Sequence, residues 1–193
     1  MLTEMVVGQF MDLNSQARGD EAASTPVRVN QLKTAAYSVE RPLHLGASLA
    51  GASDQVTSGL RTYGTAIGCA YQLRDDLLDL YGDPERTGKP RGGDLREGKR
   101  PLILALGLRS ARERGGPAAV ATLRAAIGEP GLTDVDVRVV ADLLVELGAK
   151  DDVERRLYSL IQEAKRSLAT TPIAASARQE LSRLADLATS RTR

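Results

Sequence analysis

The stretch YQLRDDLLDLYGDPERTGKPRGGDLREGK, from Tyr71 to Lys99, joins an apolar helical pattern to a loop rich in glycine and charge. In a helix, positions i, i+3 and i+4 are neighbours, so Asp75 and Asp76 would each lie beside Asp79. Two carboxylates about 4 Å apart repel each other by roughly 4 kcal/mol at the effective dielectric of a protein surface. We therefore expect a positive group to offset this repulsion, either arginine and lysine side chains or a bound metal ion.

The acidic stripe of Asp75, Asp76 and Asp79 allows two interpretations. In the first, it is a solvated helix face paired with Arg74 and Arg86, since such charge clusters are common. In the second, it binds Mg²⁺, which takes one or two carboxylates, keeps several waters and completes its shell with phosphate oxygens. Lysines of the following loop would then act as point charges on the same phosphates. The stripe alone does not decide between them.

Composition excludes several classes of function. The net charge is +1 and the basic residues are scattered, without the basic stripe that nucleic-acid binding requires. Cys69 is the only cysteine and His44 the only histidine, which excludes disulfides within the chain, cysteine-based zinc sites and Ser-His-Asp or HExxH chemistry. We expect Cys69 to pack as a small apolar side chain, and we assign His44 no role. No segment reaches the ~18 apolar residues of a membrane span and the first residues lack a signal peptide's basic end, so we expect a cytoplasmic protein.

Apolar residues recur every three to four positions almost throughout, which predicts an all-α helical bundle forming a single domain over residues 1–193. The segment 20–27 is expected to be a loop, because Pro26 disfavours helix just before it. The segment 82–98 is also expected to be a loop, because it holds five glycines and two prolines. The expected helices cover residues 1–18, 29–51 with a break near Pro42, 55–81 with Asp54 as its cap, a segment starting at Pro101, and then 117–127, 133–147, 151–169 and 173–189.

Neighbouring blocks decide between the two interpretations of the stripe. The stretch YQLRDDLLDLYGD…TGKPRGGDLREGK resembles the second aspartate-rich motif of the trans-isoprenyl diphosphate synthases (polyprenyl synthetases), F/Y-Q-x-x-D-D-x-x-D, with the glycine-lysine loop behind it. GQFMDL at Gly8–Leu13 resembles the family's GQ-x-x-D helix. KTAAYSVERPLHLGASLAG at Lys33–Gly51 resembles its lysine-threonine helix and the helix that follows. Order and approximate spacing match, over residues 1–110 by motif and over the rest by helical character only.

The resemblance implies an isoprenoid synthase-type bundle and a role for each matching residue. Asp75 and Asp76 would ligate Mg²⁺, and Asp79 would close or support that site through water. Lys33 and Lys89 would bind the allylic diphosphate, which is the leaving group. The remaining assignments place Thr34, Tyr37 and Gln72 at the reacting centre, Lys99 in the lid loop near the diphosphate, and Gln9 and Asp12 in the cavity wall.

The implied reaction condenses an allylic diphosphate with isopentenyl diphosphate to give a longer trans-prenyl diphosphate, of the polyprenyl or geranylgeranyl type. The allylic diphosphate ionises, the double bond of isopentenyl diphosphate attacks, and a proton is lost. Because no covalent enzyme intermediate forms, the lack of histidine and cysteine nucleophiles is no obstacle.

The sequence departs from the family pattern in one large respect. The first aspartate-rich motif should precede the GQ-x-x-D helix, which here begins at Gly8, and DDVER at Asp151–Arg155 lacks the closing aspartate. We therefore expect the C-terminal half of a synthase, lacking the N-terminal helices and inactive or weak alone. The alternative is a non-catalytic subunit or pseudoenzyme that binds and modulates a full-length synthase. An apolar face left exposed by the absent helices predicts a homodimer, or a heteromer with a full-length or N-terminal synthase subunit.

Overall fold

The structure, a computed structural model, describes residues 1–190, and within that range it contains helices and no β-strand. This confirms the all-α prediction. The elements are α1 (Leu2–Arg18), α2 (Ser24–Val29), the π-helix π1 (Asn30–Glu40), α3 (Arg41–Leu49), α4 (Asp54–Tyr81), α5 (Pro84–Thr87), α6 (Gly93–Arg96), α7 (Leu102–Ser110), the π-helix π2 (Ala111–Gly115), α8 (Gly116–Ala126), α9 (Asp134–Glu146), α10 (Ala149–Thr170) and α11 (Ala175–Ser190). Across residues 1–190, every helix is too short or too polar to cross a membrane.

The chain forms two compact units, and helices α1, α2, α4 and α10 contribute residues to both. Among the described residues, the first unit comprises Met1–Phe10, Arg28–Gln72 and residues 156–190. Its core lies between α4, α10 and α11, where Tyr63 donates a hydrogen bond from its hydroxyl to the Leu181 carbonyl at 2.7 Å. Burial raises the pKa of Tyr63 to about 12, so this phenol stays a neutral donor. The buried side chains of this core are Tyr63, Ala66, Ile67, Ala164, Leu168 and Ala185.

The second unit comprises Met11–Val27 and Leu73–Arg155. Helix α7 is buried along almost its whole length, which explains the continuous apolar run LILALGL. Thr133 starts α9 with a capping box: its hydroxyl accepts the Asp136 N–H at 3.3 Å, and the Asp136 carboxylate accepts the Thr133 N–H at 2.9 Å. The largest fully buried side chains here are Leu95, Ile103, Leu104, Leu108, Leu123, Val137, Leu144 and Val153.

Two of the expected loops contain helical turns. Helix α2 begins at Ser24, and Pro26 lies in its first turn, where a missing N–H costs nothing. The segment 82–98 contains α5 and α6, so the prediction of an uninterrupted loop there was wrong. Asp83 starts α5 by accepting the Glu85 N–H at 3.1 Å. Proline and glycine in these segments begin and end short helices rather than prevent them.

The expected helix boundaries were close to the observed ones. The structure differs from the expectation in the residue that caps α4 and in the winding of π1. Ser53 caps α4, since its hydroxyl accepts the Val56 N–H at 3.4 Å, while Asp54 is the first helical residue. The break near Pro42 is confirmed, because π1 ends at Glu40 and Pro42 lies in the first turn of α3. The wider π-helical winding of π1 was not expected.

Candidate functional site

In the first unit, π1 carries the lysine-threonine block. π-helical turns are rare and occur frequently at functional sites. Thr34 donates a hydrogen bond from Oγ1 to Oε1 of Gln72 on α4 at 2.9 Å. The structure thus brings together two residues that are 38 positions apart and that the family resemblance assigns to the reacting centre. Tyr37, assigned to the same centre, is 38% exposed.

The GQ-x-x-D block meets the lysine-threonine block at Gly8. A Cβ atom at Gly8 would lie 2.8 Å from the Lys33 backbone nitrogen and 3.0 Å from the Lys33 Cβ. This separation is shorter than any ordinary contact, so α1 approaches π1 this closely only because residue 8 has no side chain. Lys33 is half-buried at the contact. Gln9 is also half-buried, on the next position of α1.

A buried ionic network lies at the end of π1. The Glu40 carboxylate is buried, and it accepts hydrogen bonds from Thr65 Oγ1 at 2.8 Å and from Arg41 at 3.1 Å. Arg41 also pairs with Glu4 of α1, and this hydrogen bond lowers the pKa of the Glu4 carboxyl to about 2. The network joins α1, π1, α3 and α4 within the first unit. Sequence reasoning missed it, although a glutamate-arginine pair inside an apolar helical pattern was a usable indication.

In the second unit, the three carboxylates of the acidic stripe have different environments. Asp75 is exposed, Asp76 is 5% exposed, and Asp79 is half-buried. Both Asp79 carboxylate oxygens accept the backbone N–H of Asp94, each at 3.3 Å. Burial raises the pKa of Asp79 to about 6, and the nearby Asp94 carboxylate adds to this rise. Elsewhere in this unit, Asp12 accepts a hydrogen bond from Gln16 at 3.1 Å.

The glycine-lysine loop folds back onto the end of α4. The Gly92 N–H donates to the Asp79 backbone carbonyl at 2.8 Å. Gly92 has a φ of +73°, and a Cβ atom there would lie 2.6 Å from a Val137 methyl carbon. Both the backbone angle and the lack of space therefore require glycine. This turn is what places the Asp94 N–H on Asp79. Asp94 is therefore a site residue that the motif comparison left without a role.

The two loop lysines differ in their surroundings. Lys99 pairs with Asp94 at 2.7 Å and with Glu97 at 2.8 Å. Partial burial acts to lower the pKa of Lys99, but the hydrogen bonds to these two carboxylates outweigh it and raise the pKa overall. Lys89 is exposed, and its backbone N–H donates to Thr87 Oγ1 at 3.4 Å. A diphosphate bound by Lys99 would have to compete with Asp94 and Glu97.

The donor set fits a magnesium ion that is only partly held by protein. In the part of the chain that the structure describes, no three histidine, cysteine, aspartate or glutamate side chains form a group that could hold a metal ion by themselves. Mg²⁺ needs no such cage, because it keeps waters and takes its remaining ligands from phosphate oxygens. The exposed Asp75 and the adjacent Asp76 would supply the one or two carboxylates required. Asp79, engaged with the Asp94 backbone, suits the supporting role.

Comparison with known proteins matches the sequence pattern of Polyprenyl synthetase to residues 1–136. The chain belongs to this family. It is 30% identical over 174 residues to the geranylfarnesyl diphosphate synthase of Aeropyrum pernix, an alignment that covers 90% of this chain and 52% of that relative. The predicted family is confirmed, and the chain spans about half the length of the relatives it matches.

Solved polyprenyl synthetases share the fold closely. The geranylgeranyl pyrophosphate synthase of Corynebacterium glutamicum, complexed with isoprenyl diphosphate and magnesium, is 41% identical with a TM-score of 0.94. That match covers 99% of this chain and 53% of the other. The polyprenyl synthase of Caulobacter crescentus, complexed with calcium and isoprenyl diphosphate, is 32% identical with a TM-score of 0.86, over 99% and 56% of the two chains. The predicted isoprenoid synthase fold is therefore confirmed.

Proposed function

We propose that this chain supplies substrate-binding residues of a prenyltransferase that condenses an allylic diphosphate with isopentenyl diphosphate. The observation that carries the proposal is the contact between Thr34 and Gln72, because the fold brings these two separated motif residues within 2.9 Å. Family membership supports it, as do the isoprenyl diphosphate and divalent metal in the two solved relatives. The longer prenyl diphosphate product is of the polyprenyl or geranylgeranyl type.

In this proposal the aspartates of α4 and the lysines of the following loop supply metal and diphosphate ligands. Asp75 and Asp76 hold Mg²⁺, and Asp79 supports them. When bound, Mg²⁺ neutralises charge on the departing diphosphate. Lys89 and Lys99 bind the same group as point charges.

Residues of π1 and α4 act at the reacting carbons. The allylic C–O bond breaks with its electron pair leaving on the diphosphate, whose charge Lys33 stabilises. The double bond of isopentenyl diphosphate forms the new C–C bond, and loss of a proton restores a double bond. Oxygen dipoles of Thr34, Tyr37 and Gln72 stabilise the positive charge in between, since fixed dipoles are worth most where charge develops.

A comparison of two aspartate variants tests the metal assignment. In whatever assembly is active, Asp75→Ala should reduce Mg²⁺-dependent condensation of geranyl and isopentenyl diphosphates by several orders of magnitude. Asp151→Ala is the matched control, because Asp151 is also an exposed helical aspartate with a second aspartate after it. Its turnover should stay within a few-fold of wild type. Equal turnover in the two variants would contradict the assignment of Asp75.

The exposed face of α1 supports a second polypeptide in the active assembly. Leu2, Val6, Phe10 and Leu13 are 56–68% exposed and recur every three to four residues on this helix. Buried positions of α1 instead hold the small residues Gly8 and Ser15. A helix with its apolar stripe outward fits a partner-covered face. This supports a homodimer or a heteromer with a synthase subunit, and it is equally compatible with the alternative of a non-catalytic modulating subunit.

Sedimentation of the purified chain tests this assembly. Wild type should sediment as a dimer or larger species, and Phe10→Ser should shift it toward monomer. Val139→Ser is the control, because Val139 is also exposed (52%) but lies on α9. A monodisperse wild-type monomer would refute self-association and leave only a different partner chain.

A further inference from the structure

Two glycines on α4, Gly64 and Gly68, lie directly against the backbone of π1. A Cβ atom at Gly64 would lie 2.8 Å from the Glu40 Cα, and one at Gly68 would lie 2.4 Å from the Ala35 Cα and 2.6 Å from the Ala35 Cβ. Ala35 is fully buried at this contact. We call Gly64, Gly68 and the two π1 residues they touch the glycine seam. Along the seam, the helices are closer than any side chain on α4 would permit.

The seam runs into the pair that the proposed function places at the reacting centre. Gln72 follows Gly68 by four residues, so it continues the same ridge of α4. Thr34 directly precedes Ala35 on π1. The backbone contact between Gly68 and Ala35 is therefore the support nearest to the hydrogen bond from Thr34 to Gln72.

The size of the displacement that a side chain would cause can be worked out from the contact. Ordinary carbon contacts begin near 3.4 Å, so a Cβ atom at 2.4 Å would push the Ala35 Cα away by about 1 Å. The 2.9 Å hydrogen bond would then lengthen beyond 3.6 Å, which is no longer a hydrogen bond. A misplacement of about 1 Å in a reacting group can cost on the order of 100-fold in rate.

We propose that Gly68 is a positioning residue for prenyl transfer: it holds π1 against α4 so that Thr34 orients the side-chain amide of Gln72. This inference rests on the proposed function, in which Gln72 acts at the reacting centre. Gly68 touches no substrate in this account. At the opposite end of the seam, the Glu40 carboxylate of π1 accepts a hydrogen bond from the Thr65 hydroxyl of α4.

The experiment compares Gly68→Ala with Gly59→Ala in the full chain. Gly59 is on the same helix, and a Cβ atom there would lie 2.0 Å from Thr171 Oγ1, away from π1. The primary readout is the side-chain amide signal of Gln72 in ¹⁵N-resolved NMR spectra, assigned by its loss in Gln72→Ala. We expect Gly68→Ala to shift this signal in the same direction as Thr34→Val does, because both variants remove the hydrogen bond that Gln72 Oε1 accepts. Gly59→Ala should leave it unchanged.

Turnover provides the second readout. Gly68→Ala should reduce kcat by roughly 10- to 100-fold with little change in KM. The double variant Gly68→Ala/Thr34→Val should be no slower than Thr34→Val alone, because both changes remove one interaction. Gly59→Ala should lower Tm without lowering kcat.

Several results would overturn the inference. An unshifted Gln72 amide in Gly68→Ala would do so, and so would kcat losses that multiply in the double variant. If Gly68→Ala does not fold, Ala35→Gly removes the methyl group at the seam without adding an atom. It should also shift the Gln72 amide signal, and an unshifted signal would be decisive against the seam. If the amide shifts but no prenyl transfer occurs even after an N-terminal synthase half is added, the positioning would be supported and the proposed function refuted.

Discussion

The hydrogen bond from Thr65 to Glu40 offers the sharpest test of how π1 is held. Thr65→Val keeps the side chain's shape but removes the hydroxyl that lies 2.8 Å from the buried carboxylate. Hydrogen bonds to charged groups contribute about 1.5–3 kcal/mol. Glu40 keeps its bond from Arg41 at 3.1 Å in the variant, so the lower end, about 1.5 kcal/mol, is expected.

The assay is urea denaturation followed by far-UV circular dichroism, with Thr62→Val as the matched control. Thr62 lies on the same helix, but it is exposed and its hydroxyl donates only to the Ser58 carbonyl at 3.3 Å. Loss of the Thr62 hydroxyl should lower the free energy of unfolding by less than about 0.5 kcal/mol, as is usual for surface substitutions. A Thr65→Val variant as stable as Thr62→Val would refute the argument that Glu40 depends on the threonine hydroxyl.

Three further predictions concern single residues. Lys89→Ala should raise KM for geranyl diphosphate far more than KM for isopentenyl diphosphate in steady-state assays, and equal increases would contradict its assignment to the allylic group. Burial raises the pKa of the Cys69 thiol to about 11, so at pH 8 iodoacetamide should alkylate it at least 10-fold more slowly in the native chain than in urea; equal rates, measured by mass spectrometry, would count against this. The pKa of Glu4 is depressed in the folded chain, so the Glu4–Arg41 pair should contribute fully above pH 4.5 and be lost as pH falls toward 2. Because the pair is partly exposed, Glu4→Gln should lower the free energy of unfolding by less than about 1 kcal/mol at pH 6 and leave it unchanged near pH 2. A larger loss of stability at pH 2 than at pH 6 would contradict this prediction.

Most helices could be predicted from apolar spacing, because a stripe repeating every three to four residues buries one face wherever the helix packs. Helices α8 to α11 lie close to the expected ranges for this reason. The π-helical winding of π1 could not be predicted this way. Its backbone lies against Gly64 and Gly68, which are distant in sequence, and local propensity carries no information about that contact.

The residues of the candidate site were likewise predicted only in part from the sequence. Thr34 and Gln72 were assigned to one centre by motif resemblance, and the structure brings them into contact. Glu40 and Asp94 lie within the quoted motif blocks, but the resemblance assigned neither residue a role. Asp94 acts through its backbone N–H on Asp79, a contact made by the turn at Gly92 and independent of the side chain's chemistry.

The role of Asp75 and Asp76 in the central claim can be measured without any requirement for turnover. Geranyl diphosphate would be titrated calorimetrically into the purified chain, once with Mg²⁺ and once with EDTA. The account predicts saturable binding that requires Mg²⁺ and is lost in Asp75→Ala but kept in Asp151→Ala. Absence of binding, or binding of equal strength in EDTA, would contradict the claim that these aspartates hold a magnesium–diphosphate complex.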